Sequence, residues 1–535
     1  MCFREGVYDE VCGTLQRNIR KVVQRYGLSG SNAFFGDNQA KENISRKSLQ
    51  SGAFSLIGRG SNVVIQVVST IALARLLLPE HFGLFAMISA LTGFAPALID
   101  LGTQDAVVQK AKISRDEISA LFWLSTGIGA SLTIIVGLCA PLIASLYHEE
   151  NLEEIAQVWA VVFLLSALPN QHLALLRRSL MFKRLALIEV GSNLVGAAVA
   201  IGLALLGYGY WALVFRPLLT AVMTLIGAGL SCPWIPNLPR YTPGVRDMLK
   251  FGINITLFTA IDYFGRTLDR VVIGIAQGAK SVGYYQNACI AYENPLALVN
   301  IPLHNVAVAT LSKLRDNLDE LKRSWRNALS CLCFFAMPAF VVLALIGPDM
   351  VVLFLGEKWA YSGTLLSVMA LRGPGHVVER TQGWLHVAAG RSDRWMRWGI
   401  VSCVVQIAAL FIGLPFGAMG IAVAYTISVY VLFLPAIVYS GAPFGIGISE
   451  ILKVVGPPLV GSVVAAGVGF LLRFEYLFDI PAIERIAILV FVCVSLYLFV
   501  TVALFRIVKP LEVAQSLMLV FLPTRLSGLL SRQAK

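Results

Sequence analysis

Charge is what this chain has least of. Asp, Glu, Lys and Arg make up 14% of its 535 residues, and apolar residues reach 57%. A mean hydropathy of +0.73 excludes a water-soluble chain of this length, because a single core cannot hide that much apolar surface. The nine cysteines are scattered through apolar runs without a CxxC pair, so they read as packing residues and not as a redox or disulfide framework. Six histidines form no HExxH or other ligand cluster, so no metal site and no cofactor is expected. The outer connections are short, "YHEENLEE" (147–154), "GYGYWA" (207–212), "PFGAMG" (415–420) and "FEYLFD" (474–479), with no Asp-x-Asp pair. A membrane glycosyltransferase or polysaccharide polymerase is the alternative of another class, and the acidic "HEENLEE" (148–154) reads better as a solvated helix N-terminus than as its site. The first 45 residues lack an apolar core of signal-peptide length. They read as a cytoplasmic tail, either disordered or folded over 11–26 as a basic amphipathic helix on the membrane surface.

What the chain does have is apolar length. Fourteen stretches are expected to be membrane helices: 53–76, 82–101, 119–143, 155–175, 187–206, 211–230, 251–275, 283–303, 328–346, 361–389, 398–414, 420–439, 453–472 and 485–505. About 20 residues at about 1.5 Å each cross a hydrocarbon layer of roughly 30 Å. With both termini cytoplasmic, the inner connections and the basic C-terminal tail carry twenty-four Lys and Arg, such as Arg177, Arg178, Arg323 and Arg394. The outer connections carry four: Arg75, Lys280, Lys358 and Arg473. That asymmetry sets orientation and accounts for the net charge of +12 without nucleic acid.

The two halves repeat at an offset of 200 residues. Gly52 meets Gly252, Gly83 meets Gly283, and Ala97-Leu98 meets Ala297-Leu298. Polar positions match too: Asn62 with Asp262, Gln66 with Arg266, Ser69 with Asp269 and Thr70 with Arg270. The expected organisation is a tail at 1–45, a lobe of six spans at 46–250, a second lobe of six at 251–445, two extra helices at 446–510 and a basic tail at 511–535.

Three spans carry polar stripes at i, i+4, i+7 spacing. The first has Arg59, Asn62, Gln66 and Ser69; the seventh has Asp262, Arg266, Asp269 and Arg270; the tenth has Arg372, His376, Glu379, Arg380 and Gly383. A charge at bilayer depth costs on the order of 2.5–3.5 kcal/mol on insertion scales, so the stripes are expected to face protein or a central water-filled cavity. Counting Arg216, six arginines stand against the acids Asp262, Asp269, Glu293 and Glu379. Arg216, beside Pro217, reads better as a snorkelling residue. The surplus suits an anionic headgroup, because guanidinium binds phosphate and carboxylate in a fork. Mutual pairing that joins helices is the alternative. Tyr284, Tyr285, Gln286, Asn287, Tyr292, Glu293, Asn294 and Asn300 in the eighth span suit a sugar, and Tyr284 and Tyr285 equally suit an interfacial belt. Pro96, Pro295 and Pro302 are expected to kink or break their helices.

Three segments carry a family resemblance: "ISRKSLQSGAFSLIGRGSNVVIQVVSTIALARLLLPEHFGLFAM" (44–87), "WIPNLPR" (234–240) and "LGEKWAYSGTLLSVMAL" (355–371). Over roughly 45–510 the chain resembles the polysaccharide transporter (Wzx-type flippase) branch of the multidrug/oligosaccharidyl-lipid/polysaccharide (MOP) exporter superfamily. The resemblance implies an all-α fold of two six-helix lobes plus two C-terminal helices. It implies alternating access and export of an undecaprenyl-diphosphate-linked oligosaccharide across the bacterial inner membrane. Implied partners are that lipid-linked oligosaccharide, membrane lipids, and a polysaccharide polymerase with its chain-length regulator. No catalytic residues come with it. A lipid II flippase would use similar basic chemistry. A cation-coupled drug antiporter would want an acid in the first span, where this chain has Arg59, Asn62 and Gln66.

Overall fold

The computed structural model describes residues 44–110, 113–238, 243–314, 317–507 and 509–511. The expectations for the tail at 1–43 and for 512–535 lie outside the described residues. No strand occurs among the described residues. The helices are α1 (Ile44–Leu76), α2 (Pro79–Thr92), α3 (Ala95–Asp100), α4 (Thr103–Gln109), α5 (Arg115–Leu138), α6 (Ala140–Tyr147), α7 (Asn151–Ala167), α8 (Asn170–Arg178), α9 (Phe182–Leu205), α10 (Trp211–Ser231) and α11 (Pro243–Lys313). They continue with α12 (Leu318–Leu355), α13 (Ala360–Leu371), α14 (Gly373–Arg380), α15 (Gln382–Ala389), α16 (Ser392–Gly413), α17 (Gly417–Gly441), α18 (Ile448–Glu475) and α19 (Ala482–Leu498). Ten helical segments among the described residues are long and apolar enough to cross a membrane. The protein is a multi-pass, all-α membrane protein.

Helix breaks divide several of the expected spans. The second stretch is two helices, α2 and α3, and α4 follows it. α2 ends before Gly93, and Leu101 (φ 46°) and Gly102 (φ 65°) leave the helical region between α3 and α4. Pro96 sits at the start of α3, where its missing N–H costs nothing. The seventh and eighth stretches form the single run α11, interrupted at Gly278 (φ 75°, ψ 179°), a conformation open to glycine because it has no Cβ. Pro295 and Pro302 lie inside this run and do not end it. Each removes one backbone hydrogen bond, and without a left-handed residue beside it the neighbouring turns hold the helix.

Two compact units divide the chain, residues 1–279 and 280–535. In the first, α9 packs on α1 and α10, and α7 packs on α5 and α10. The seventh stretch, the beginning of α11, lies along the second. Gly252 meets the Leu101 carbonyl so closely that a Cβ has no room, Thr256 Oγ1 donates to the Ala97 carbonyl at 3.4 Å, and the Tyr263 hydroxyl donates to the Ser89 carbonyl. At the far end the Ala279 N–H donates to Glu149 Oε1 at 3.5 Å. Small residues let the backbones approach, which is how helices associate in lipid without a hydrophobic drive.

In the second unit, α12 is the centre. It packs on α13, α14, α18 and α19, while α17 packs on α13, α14 and α16. The last two helices seat Tyr497, Cys493 and Ala465 against Phe334, Val342 and Leu345 of α12. The Tyr497 hydroxyl donates to the Phe334 carbonyl at 2.8 Å. Asp349, 7% exposed, closes the same contact with Arg473 Nη1 at 2.7 Å and Arg485 Nη2 at 3.0 Å.

Candidate functional site

The first-span stripe lies on α1. Arg59 and Gln66 are exposed and Asn62 is half-buried. Asn62 Oδ1 accepts from Asn193 Nδ2 of α9 at 3.2 Å, and the same nitrogen donates to the Glu189 carbonyl at 3.0 Å. Ser69, buried, donates to the Gln66 carbonyl at 3.1 Å. Asn62 is thus tied to the fifth span, while its two charged or amide neighbours stand free of the packing.

The seventh-span stripe lies on α11. Arg266 is exposed and Arg270 half-buried. Asp269, 6% exposed, accepts the Arg270 backbone N–H on Oδ1 at 2.8 Å. The Asp262 side chain lies outside the described residues, so its expected pairing with Arg266 stays an expectation. Arg266, Asp269 and Arg270 do share one helical face through their spacing.

The second unit gathers the tenth-span stripe around one residue of the eighth span. Tyr292 is fully buried. The Arg372 guanidinium lies over its ring, 4.2 Å from the centroid. The imidazole of His376 lies nearly parallel to the ring, at 12° and 6.2 Å between centroids, and Phe340 of α12 packs at 5.4 Å. The Tyr292 hydroxyl and His376 Nδ1 are 2.8 Å apart, and Arg380 Nε donates to His376 Nε2 at 3.1 Å. A cation over an aromatic face is worth about 0.5–2 kcal/mol, more when desolvated. Glu379 is buried next to Arg380, and Glu293, next to Tyr292, is exposed. The break between α13 and α14 at Arg372, ahead of Pro374, turns this stripe against α11.

The aromatic residues expected to bind sugar divide. Tyr285 and Tyr292 are fully buried and Asn287 is 5% exposed. Tyr284 joins an aromatic cluster with Trp359 and Tyr361, at 6.1 Å and 5.4 Å between centroids. Its backbone carbonyl accepts from Ser362 Oγ at 3.0 Å.

Sequence reasoning missed a second polar cluster, in the first unit. Asp100 Oδ1 accepts from Gln104 N–H at 3.1 Å, Thr103 Oγ1 at 3.4 Å and Asn170 Nδ2 at 3.4 Å. Asn170 Nδ2 also reaches Ser125 Oγ at 3.3 Å, its Oδ1 accepts from Gln104 Nε2, and Gln171 Nε2 donates to Thr103 Oγ1 at 3.0 Å. The signal was there: Asp100, Asn170 and Gln171 interrupt apolar runs beside Pro96 and Pro169.

The fold and the buried arginine stripe define an all-α, multi-pass membrane protein. Comparison with known proteins identifies it further. The polysaccharide biosynthesis protein family matches residues 72–363, more than half of the chain, and the chain belongs to that family. The lipopolysaccharide biosynthesis protein WzxC of Escherichia coli (strain K12) is 24% identical over 71% of this chain and 78% of its own length. Among solved structures, the lipid II flippase MurJ in its inward closed conformation superposes with a TM-score of 0.66. It is 15% identical and is covered over 85% of this chain and 99% of that one. An inward-facing multidrug resistance MATE family transporter of the MOP superfamily gives a TM-score of 0.55, with 16% identity over 71% of this chain and 95% of that one. At these identities the structural likenesses establish the fold.

Proposed function

We propose that this protein flips a lipid-linked oligosaccharide, a polyprenyl diphosphate carrying a sugar repeat unit, across the bacterial inner membrane by alternating access. The product would feed surface polysaccharide: exopolysaccharide, O-antigen or capsule. Arginine in surplus at membrane depth is the observation that carries this reading. Arg372 and Arg380 flank the fully buried Tyr292, and Arg266 and Arg270 sit one turn apart on α11. A diphosphate offers oxygens for guanidinium forks, and a sugar ring offers C–H faces to aromatic rings and hydroxyls to amides.

The roles divide by chemistry. Arg266, Arg270, Arg372 and Arg380 bind the anionic headgroup. Asp262, Asp269 and Glu293 hold those guanidiniums when the headgroup is absent. Arg59, Asn62 and Gln66 supply the matching, less charged stripe of the first lobe. Headgroup and carboxylates compete for the same donors, which links binding to the change of state. The prenyl tail stays in lipid. Both termini are cytoplasmic, and the lobes are 46–250 and 251–445, as the charge asymmetry and the repeat imply. The polymerase and chain-length regulator receive the flipped unit.

Complementation of a strain lacking this chain tests the reading, with surface polymer and protein level both measured. Arg266→Ala with Arg270→Ala abolishes export at near-normal protein level, and Arg266→Lys restores it partly, because ammonium keeps charge and loses the fork. Full export by the double variant refutes the headgroup role. Loss of the protein itself supports mutual pairing instead.

A further inference from the structure

The His376 imidazole is held at both ends. Guanidinium can only donate, so Arg380 Nε–H at 3.1 Å fixes His376 Nε2 as an acceptor. The ring proton is therefore on Nδ1, donated to the Tyr292 hydroxyl oxygen at 2.8 Å. The neutral ring satisfies both of these contacts. An imidazolium would set two N–H donors against each other across the Arg380 contact. Proton and Arg380 thus compete for one lone pair.

The groups around the ring are mostly cationic or neutral. On its own segment stand Arg372, Glu379 and Arg380. From α11 come Tyr292 and Glu293, with Tyr285 and Cys289 buried on the Arg372 side. From α17 comes Tyr430, whose hydroxyl donates to the Leu371 carbonyl at 2.7 Å. From α12 comes the ring of Phe340.

We propose that His376 is a proton-binding site linked to the transported anion: a diphosphate that draws Arg380 off the imidazole opens Nε2, and one proton is taken up with the headgroup. The Arg380 N–H then points to a phosphate oxygen, Nδ1 keeps its proton, and Nε2 gains one from solvent. No other bond changes. This inference rests on the headgroup role given to Arg380 above. It names the coupled ion, and it lowers by one unit the negative charge moved with each headgroup.

Inorganic pyrophosphate is the probe, bound to the purified full chain in detergent. His376→Gln is the informative variant, because its amide can accept from Arg380 and donate to Tyr292 but cannot titrate. An indicator in weak buffer reads proton uptake on binding near neutral pH. Uptake is expected in the wild type beyond that of the Gln variant, and the difference cancels the titration of pyrophosphate itself. Wild-type affinity rises more steeply than the variant's as the pH falls from 8 to 6. Arg380→Leu, which removes the donor to Nε2, loses the uptake. Equal uptake in wild type and His376→Gln overturns the proposal, as does binding without uptake or no binding of pyrophosphate. Polymer export in the complemented strain is read separately. Export lost in Arg380→Ala alongside equal proton uptake keeps the transport reading and rejects the proton site alone.

Discussion

Each half of the chain keeps a polar cluster beside a proline break in a membrane helix, and the two clusters are built from opposite materials. In the first unit Asp100, Thr103, Gln104, Ser125, Asn170 and Gln171 bond to one another across α3, α4, α5 and α8. Amides and hydroxyls both donate and accept, so such a network can close on itself with one carboxylate at its centre. In the second unit Arg372, His376 and Arg380 gather on Tyr292, and arginine cannot accept. A cluster of donors stays poised for an incoming acceptor. The first arrangement suits holding a bent helix; the second suits holding an anion. The repeat sharpens the contrast: at the offset of 200, Tyr292 falls on Thr92, whose hydroxyl accepts the Trp159 indole N–H at 3.0 Å and donates to the Ile88 carbonyl at 2.7 Å.

The comparison can be broken at its premise that a gathering of donors, and not charge alone, marks function. Asp349 is the control, a charged cluster that is fully paired. Asp349→Ala leaves Arg473 and Arg485 buried without their carboxylate and is expected to cost about 3–5 kcal/mol. Protein level in membranes should fall together with export; normal level with lost export would make this cluster functional and undo the distinction. Next in size, Arg372→Ala removes a guanidinium proposed to bind the headgroup, where charge-assisted bonds are worth about 1.5–3 kcal/mol, so export per molecule should fall about ten- to hundredfold at near-normal level. Immunoblot and polymer assay together decide between that result and simple loss of protein.

Asn170→Ala probes the other side. It strips Asp100 and Gln104 of a buried partner and is expected to lower thermal stability in detergent by about 1–3 kcal/mol, with export per molecule retained. Export lost at full stability would make the first cluster a binding site as well. The smallest effect belongs to Arg391→Ala. Its pair with Asp393, at 2.9 Å, is exposed on both sides, so neither level nor export should change measurably.

Much of the second-unit site was legible in the sequence. Arg372, His376 and Arg380 recur every four residues, and helical periodicity alone puts them on one face. Tyr292 was legible as an aromatic residue among polar ones, but its place between Arg372 and His376 was not. Their separations, 84 residues to His376, are spanned only by packing. The first-unit network was hidden for the same reason, since Asp100 and Asn170 lie 70 residues apart and each looks alone in its own apolar run. The prolines show the limit from the other side. Pro295 and Pro302 lie inside a helix, while Pro96 opens one that ends at the left-handed Leu101 and Gly102.

By itself the sequence determined the class of molecule. Apolar length, scarce charge and the inward bias of Lys and Arg depend on composition along the chain, and a bilayer reads them one segment at a time. It also determined which side chains share a helical face, because that follows from 3.6 residues per turn. Only the tertiary structure decided which faces meet. It laid the seventh stretch along the second, bound the last two helices to Asp349, and set an arginine on each side of the Tyr292–His376 pair. Those choices rest on close backbone approach and on hydrogen-bond partners distant in sequence, where one missing Cβ or one lone pair outweighs any local propensity.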